Sequence, residues 1–334
     1  MSRSKHKRLD PAAYAEGVLS GDRSMLSKTI TLIESKLEED QVLAERVLQL
    51  LLPHTGKAKR IGVTGAPGVG KSTFIEAFGK VILQGGHRLA VLSIDPSSKQ
   101  SGGSILGDKT RMEELSKSPN AYIRPSPGGG YAGGVAISTR EAMLVCEAAG
   151  YDVVIVETIG VGQSEVQVKE MVDFFMLIVQ PETGDGLQGV KRGIMEMVDT
   201  IVVNKADERS RQSAAQTKRE LEGACQLMSP RSGAGQITVL LVSSVEKRGL
   251  EEVWAVTQEF FGKISATGFL GENRKAQRNH WFYAHVQKAL EQRFYQDPHV
   301  VTKIEEALGE VKDAKELPAA VARNLVNTFF KASD

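Results

Sequence analysis

The hydrophobic pattern changes its period twice along the chain. Between residues 10 and 52, apolar positions recur at three- and four-residue spacing, as in Met25, Leu26, Ile30, Ile33 and Leu37, then Leu43, Val47, Leu50 and Leu51. That is the period of an amphipathic helix. Pro53 and the basic run Gly56-Lys57-Ala58-Lys59-Arg60 close the zone, so the pattern predicts an N-terminal helical extension over 1–56.

The next zone, 57–265, alternates short apolar, β-branched runs with helix-like stretches. The runs are Ile61–Thr64, Leu89–Ile94, Val153–Val156, Phe174–Val179, Thr200–Val203 and Ile237–Val242. Several are apolar throughout, as a strand buried on both faces requires. The stretches between them are long enough for the crossover helices that join parallel neighbours. The predicted class is α/β, a doubly wound and mainly parallel sheet with ligands at the carboxyl ends of its strands.

Helical spacing then returns over 266–334. Phe282, Val286, Leu290 and Phe294 form one stripe, Ile304, Leu308 and Val311 a second, and Val321, Leu325 and Phe329 a third, with Pro298 and Pro318 between them. Such an arm has too little material for a core of its own. Its stripes must cover the main domain or a second copy of the chain, and the spacing leaves both open.

Composition narrows the classes of function. Among 334 residues, 41% are hydrophobic and 25% charged, ordinary values for a globular protein. Lys plus Arg number 42 and Asp plus Glu 41, a net charge of +1. Nothing in that balance points to nucleic acid or an acidic membrane as the main partner. The basic start (Arg3, Lys5, Lys7, Arg8) is followed by no apolar run, so it does not read as a secretory signal. No stretch approaches the ~20 apolar residues of a membrane span. Cys146 and Cys225 sit in helix-like segments outside any CxxC or Cys/His cluster, and reduced thiols of this kind suit the cytoplasm.

The first run of the sheet leads into Gly65-Ala66-Pro67-Gly68-Val69-Gly70-Lys71-Ser72, the complete P-loop pattern. Glycines let the backbone turn tightly enough for successive N–H groups to face one phosphate. The helix that follows aims its positive end at the same anion. Lys71 supplies a point charge for the β and γ oxygens, and Ser72 a hydroxyl for Mg²⁺. Carboxylates at later strand ends should complete the metal shell: Glu157 in Glu157-Thr158-Ile159-Gly160, and Asp95 in Ser93-Ile94-Asp95-Pro96. Either acid can also be read as an ordinary cap or turn residue. Gly160 offers an N–H that can approach the γ-phosphate. Two glycine-rich stretches, Ser101–Arg111 and Pro125–Tyr131, read as switch loops or as static surface loops; Asp108 in the first can enter the Mg²⁺ shell on closure.

A second constellation reads the base. Asn204-Lys205-Ala206-Asp207 follows the run Thr200–Val203. A carboxylate at Asp207 accepts two hydrogen bonds from the N1–H and N2–H₂ edge of guanine. Adenine lacks that donor pair and would leave the carboxylate unpaired. Ser243 and Ser244, after the last run, fit a supporting base loop or a plain strand-end turn. Together the two constellations predict a nucleotide-binding enzyme that takes GTP or GDP.

The combination of strings resembles one family. Gly65–Glu76, Gly102–Met112, Ala121–Pro127, Glu157–Glu165 and Gly184–Gly193, with Thr73 inside the first, are similar to the MeaB/ArgK GTPases, bacterial relatives of the human methylmalonic aciduria type A protein. The resemblance spans about residues 60–210. It implies a GTPase chaperone that binds adenosylcobalamin-dependent methylmalonyl-CoA mutase, gates cofactor loading, protects or reactivates the mutase, and forms a homodimer through the C-terminal arm. It also implies that Gln180–Gly193 is a third switch, in which a partner could bring Lys191 to the γ-phosphate to offset charge in the transition state. A helix N-terminus with solvated charges is the plainer reading of that segment. No Gln directly follows Gly160, and Gln163 comes three residues later, so intrinsic hydrolysis is expected to be slow and stimulated by the partner. Two other classes stay in view: a metallochaperone GTPase, which the lack of a Cys/His cluster disfavours, and a phosphotransferase acting on a small molecule or protein.

Overall fold

β1 (Lys59–Thr64) lies at the centre of a parallel sheet, hydrogen-bonded to β4 (Val153–Thr158) on one side and β5 (Phe174–Val179) on the other. Outward from β4 come β2 (Leu89–Ile94) and the edge strand β3 (Ala121–Arg124). Outward from β5 come β6 (Thr200–Val203) and β7 (Thr238–Leu241). Among the described residues the order is β3-β2-β4-β1-β5-β6-β7 and every pairing is parallel. This computed structural model describes residues 8–94, 112–125, 132–158, 164–181, 192–227, 235–312 and 317–331. Six of the seven strands coincide with the apolar runs of the sequence. β3 was not expected; it has four residues and ends in Arg124, which pairs with Glu34 rather than contributing an apolar position.

Successive strand residues alternate between two cores, as the pleat requires. Leu89 and Val91 face one cluster with Phe74, Phe78 and Ile82 of α4 (Lys71–Gln84) and Trp254, Phe260 and Phe261. Ala90 and Leu92 face the other, with Tyr14, Val18, Leu26, Ile30, Val47 and Met143. The second cluster includes residues of α1 (Pro11–Leu19), α2 (Arg23–Ile33) and α3 (Glu38–Leu51), so the N-terminal helices share the core of the sheet. Each of the first two is capped by an aspartate at its start: Asp10 accepts from Ala12 N, and Asp22 from Ser24 N and Met25 N.

The chain forms two compact units, 1–277 and 278–334. After α5 (Glu113–Lys117), α6 (Ala132–Ala148), α7 (Ser164–Lys169), α8 (Arg192–Met195), α9 (Arg211–Gln226) and α10 (Leu250–Ala266) comes the long helix α11 (Phe269–Gln296). The second unit continues through α12 (Pro298–Lys312) and α13 (Pro318–Lys331). Within it the rings of Phe294 and Phe329 meet at 5.1 Å, whereas Phe282, Tyr283 and Leu290 are more than half exposed. No helix among the described residues is long and apolar enough to cross a membrane.

Candidate functional site

The carboxyl ends of β1, β4, β5 and β6 carry the polar residues singled out in the sequence, where a doubly wound sheet places its ligands. Between β1 and α4 the chain turns through three glycines with positive φ, Gly65 (151°), Gly68 (84°) and Gly70 (89°). Gly70 is needed twice over. Its backbone is left-handed, and a Cβ there would lie 2.8 Å from Asn204 Nδ2.

Lys71 opens α4 and is buried. Its ammonium donates to the carbonyls of Gly65 at 2.7 Å and Ala66 at 3.1 Å, both in the loop it would serve. Burial lowers its pKa from the ordinary lysine value, while the charges of Glu157 and Glu165 push the other way. The side chain is thus a cation held in a low-dielectric recess by groups that a bound anion can replace.

Ser72 Oγ donates to Glu157 Oε1 at 3.3 Å. Glu157, buried near the end of β4, and the serine hydroxyl together present hard oxygen atoms from two elements, the donor chemistry that Mg²⁺ prefers. Beside them Thr158 Oγ1 donates to Thr64 Oγ1 at 2.9 Å, tying the tops of β4 and β1 together.

The tetrapeptide Asn204–Asp207 is fastened to the phosphate loop. Asn204 Nδ2 donates to Val69 O at 3.0 Å, and Asn204 Oδ1 accepts from the Ser244 hydroxyl at 2.7 Å and the Ser244 N–H at 3.3 Å. Lys205, in a left-handed backbone conformation (φ 57°), donates from Nζ to Gly68 O at 2.6 Å and to Gln180 Oε1 at 2.7 Å. Ser243 Oγ donates to Asp207 Oδ1, which aims the carboxylate and leaves lone pairs on both oxygens for further donors. Ser243 and Ser244 follow β7 after Val242 and are buried.

The structure therefore brings together Gly65, Gly68, Val69, Gly70, Lys71, Ser72, Glu157, Asn204, Lys205, Asp207, Ser243 and Ser244; Thr73 follows Ser72 in the first turn of α4. Asp95, Asp108, Gly160 and Lys191 lie outside the described residues, as do Gln163 and most of the three switch segments. Two neighbours of the site belong to neither the phosphate-loop motif nor the Asn204–Asp207 tetrapeptide. Glu165, in the first turn of α7, is buried with its charge acting on Lys71. Gln180, just past β5, holds Lys205. Position at a strand's carboxyl end was the available signal for Gln180.

The chain is similar to known proteins in sequence and in fold. The model of the family described as methylmalonyl-CoA mutase-associated GTPase MeaB matches residues 26–299. A Mycobacterium tuberculosis protein named as a probable GTPase is 46% identical over 96% of this chain and 95% of its own length. The mitochondrial methylmalonic aciduria type A homolog of Mus musculus is 43% identical over 94% of this chain and 78% of its own. The crystal structure of a LAO/AO transport system kinase superposes with a TM-score of 0.74 at 34% identity, covering 98% of this chain and 99% of that one.

Proposed function

The chain belongs to the MeaB family of methylmalonyl-CoA mutase-associated GTPases and is itself a GTPase, and from that premise we propose that it binds methylmalonyl-CoA mutase and gates cobalamin loading, protection and reactivation through GTP binding and hydrolysis. One observation carries the nucleotide part of this reading. The base loop and the phosphate loop are joined by Asn204–Val69 and Lys205–Gly68 hydrogen bonds, so triphosphate and base would be gripped by a single pre-assembled unit. The family's description supports the partner.

The roles follow from the geometry. Gly65, Gly68, Val69, Gly70 and Thr73 would offer backbone N–H groups to the phosphates. Lys71 would exchange its loop carbonyls for β and γ oxygens, which carry full charge. Ser72 and Glu157 would hold Mg²⁺, with Asp95 and Asp108 completing the shell. When bound, Mg²⁺ would neutralise charge building up between the β and γ oxygens. Asp207 would read the guanine edge while Ser243 fixes its rotamer, and Ser244 would hold the loop that meets O6. Water would attack the γ-phosphorus in line and GDP would leave, Gly160 reporting the γ-phosphate. Lys191 would be the cation that the partner brings to the transferred phosphoryl group. On this reading the arm, with Phe282, Tyr283 and Leu290 exposed, makes a homodimer. On this reading the protein works in the cytoplasm, where thiols such as Cys146 and Cys225 stay reduced.

Capture of the chain on immobilised methylmalonyl-CoA mutase, with GDP and with a non-hydrolysable GTP analogue, tests the partner. Nucleotide-dependent retention is expected, and no complex in any nucleotide state would remove the chaperone role. Lys191→Ala should keep GTP affinity within about twofold and lose most of the mutase-stimulated turnover, because a partner-placed cation acts only in the transition state. Unchanged stimulated turnover would take Lys191 out of the mechanism.

A further inference from the structure

We propose that Gln180 is a positioning residue for the guanine nucleotide, acting through the ammonium group of Lys205. The inference rests on the assignment of this site to guanine nucleotide and adds a residue outside its two sequence motifs.

Lys205 lies across the phosphate loop. A Cβ built on Gly70 would sit 3.9 Å from Lys205 Cε, and Nζ reaches on to Gly68 O at 2.6 Å. Its other acceptor is Gln180 Oε1 at 2.7 Å. Both ends of that bond are set by the sheet. Val179 pairs with Val203 in register, and Asn204 N donates to Val179 O at 2.8 Å, so Gln180 and Asn204 leave adjacent parallel strands side by side, with Lys205 the next residue. Lysine carries a long stem with large rotamer freedom and three ammonium donors. One acceptor on the phosphate loop would leave the stem free to pivot. A second acceptor on a different element holds it before any ligand arrives. A side chain ordered in advance costs the ligand less on binding.

Lys205 belongs to the same tetrapeptide as Asn204 and Asp207, and its acceptors Gly68 O and Gln180 Oε1 are not among the residues assigned to the metal, Ser72 and Glu157. Loss of Gln180 should therefore weaken GDP and GTP alike. The test is titration of the full chain with fluorescent GDP and GTP analogues, together with steady-state GTP turnover. Gln180→Leu keeps volume and removes the acceptor. It should raise both Kd values by about tenfold, the lower end of what a hydrogen bond to a charged group contributes, raise KM and leave kcat unchanged. Gln180→Glu keeps an acceptor and should restore wild-type affinity or better. In a Lys205→Met background, Gln180→Leu should add nothing. Gln180→Asn, too short to reach Nζ, replaces the leucine variant if that one does not fold.

Wild-type affinity in the leucine variant, failure of Gln180→Glu to rescue, or a defect that persists undiminished without Lys205 would each overturn the role of Gln180. If the wild type itself holds neither GDP nor GTP, the nucleotide assignment falls first and this role with it.

Discussion

On the proposed reading, the preference for guanine rests on the Asp207 carboxylate and its orientation. Ser243 donates to one oxygen, and Arg248 and Glu246 stand in the same loop. Asp207→Asn replaces one acceptor with a donor. The variant is expected to bind GTP about 100-fold more weakly, since a guanine N–H then faces an N–H. It should prefer xanthosine triphosphate, which carries a carbonyl where guanine carries its amino group. Competition of the two nucleotides against a fluorescent GDP analogue measures this, and an unchanged preference for GTP would mean that Asp207 does not touch the base. Residues of this kind were legible in the sequence because their chemistry dictates both type and spacing. Glu165 and Gln180 were not, because a glutamate in a helix's first turn and a glutamine after a strand have many uses. Only the buried charge of Glu165 beside Lys71 and the hydrogen bond from Lys205 to Gln180 separate them from their neighbours.

The elements carry these residues with little tolerance. Gly65 has φ 151°, and a Cβ there would fall 2.3 Å from Ile178 O on the adjacent strand β5. At Gly70 the obstacle is the Asn204 amide. Gly70→Ala should cost about 1–2 kcal/mol from the left-handed backbone alone, before the clash with Asn204 is counted. It should also abolish detectable GTP binding by opening the joint between the loops. Thermal unfolding and nucleotide titration on one preparation measure the two effects; an alanine variant that binds GTP normally would show that the loop relaxes around the extra carbon. Strands β1, β2, β4, β5, β6 and β7 were visible as apolar runs because both faces are buried. The edge strand β3 escaped. Its four residues include Tyr122, whose hydroxyl lies 3.2 Å from Ser27 Oγ, and Arg124, bonded to Glu34. Backbone pairing with β2 makes it a strand, and the polar partners of its side chains, Ser27 and Glu34, are remote in sequence.

In the larger unit, a chain of buried charges sits at the amino ends of β1 and β5. Glu147 accepts from Arg60 Nε at 2.6 Å and from Gly56 N. Asp173 accepts from Arg60 N at 3.2 Å and from Arg274 Nε and Nη2 at 3.0 and 2.7 Å, and Arg274 also donates to Gly56 O and Ala58 O. Burial by itself would lower the pKa of Arg274, but its hydrogen bond and charge pairing with Asp173 win and raise it. Arg274→Met leaves Asp173 buried and short of a counter-charge. A loss of about 3–5 kcal/mol is expected, read from denaturant midpoints, with partial recovery in the Asp173→Asn/Arg274→Met double variant. A loss below about 1 kcal/mol would show that Asp173 relaxes to water or to Arg60.

The second unit poses the opposite problem, apolar side chains without cover. Phe282 is 63% exposed and Leu290 51%, eight residues apart on one helix face. Sedimentation should give the mass of a dimer, and Phe282→Glu with Leu290→Glu should give a monomer that still binds GTP. A wild-type monomer would place the cover elsewhere.

The sequence by itself determined the class of sheet, the phosphate loop, the place of the Asn204–Asp207 tetrapeptide after a strand, and the family. Each is written in neighbouring residues, where period, glycine placement and motif spacing act locally. Only the tertiary structure decided which distant groups meet: Asn204 on Val69, Lys205 between Gly68 and Gln180, Thr158 on Thr64, Arg274 on Asp173. Those partners lie on strands and loops that become neighbours only when the crossovers close. Strand order and register, which no local pattern encodes, set the distances across which their hydrogen bonds form.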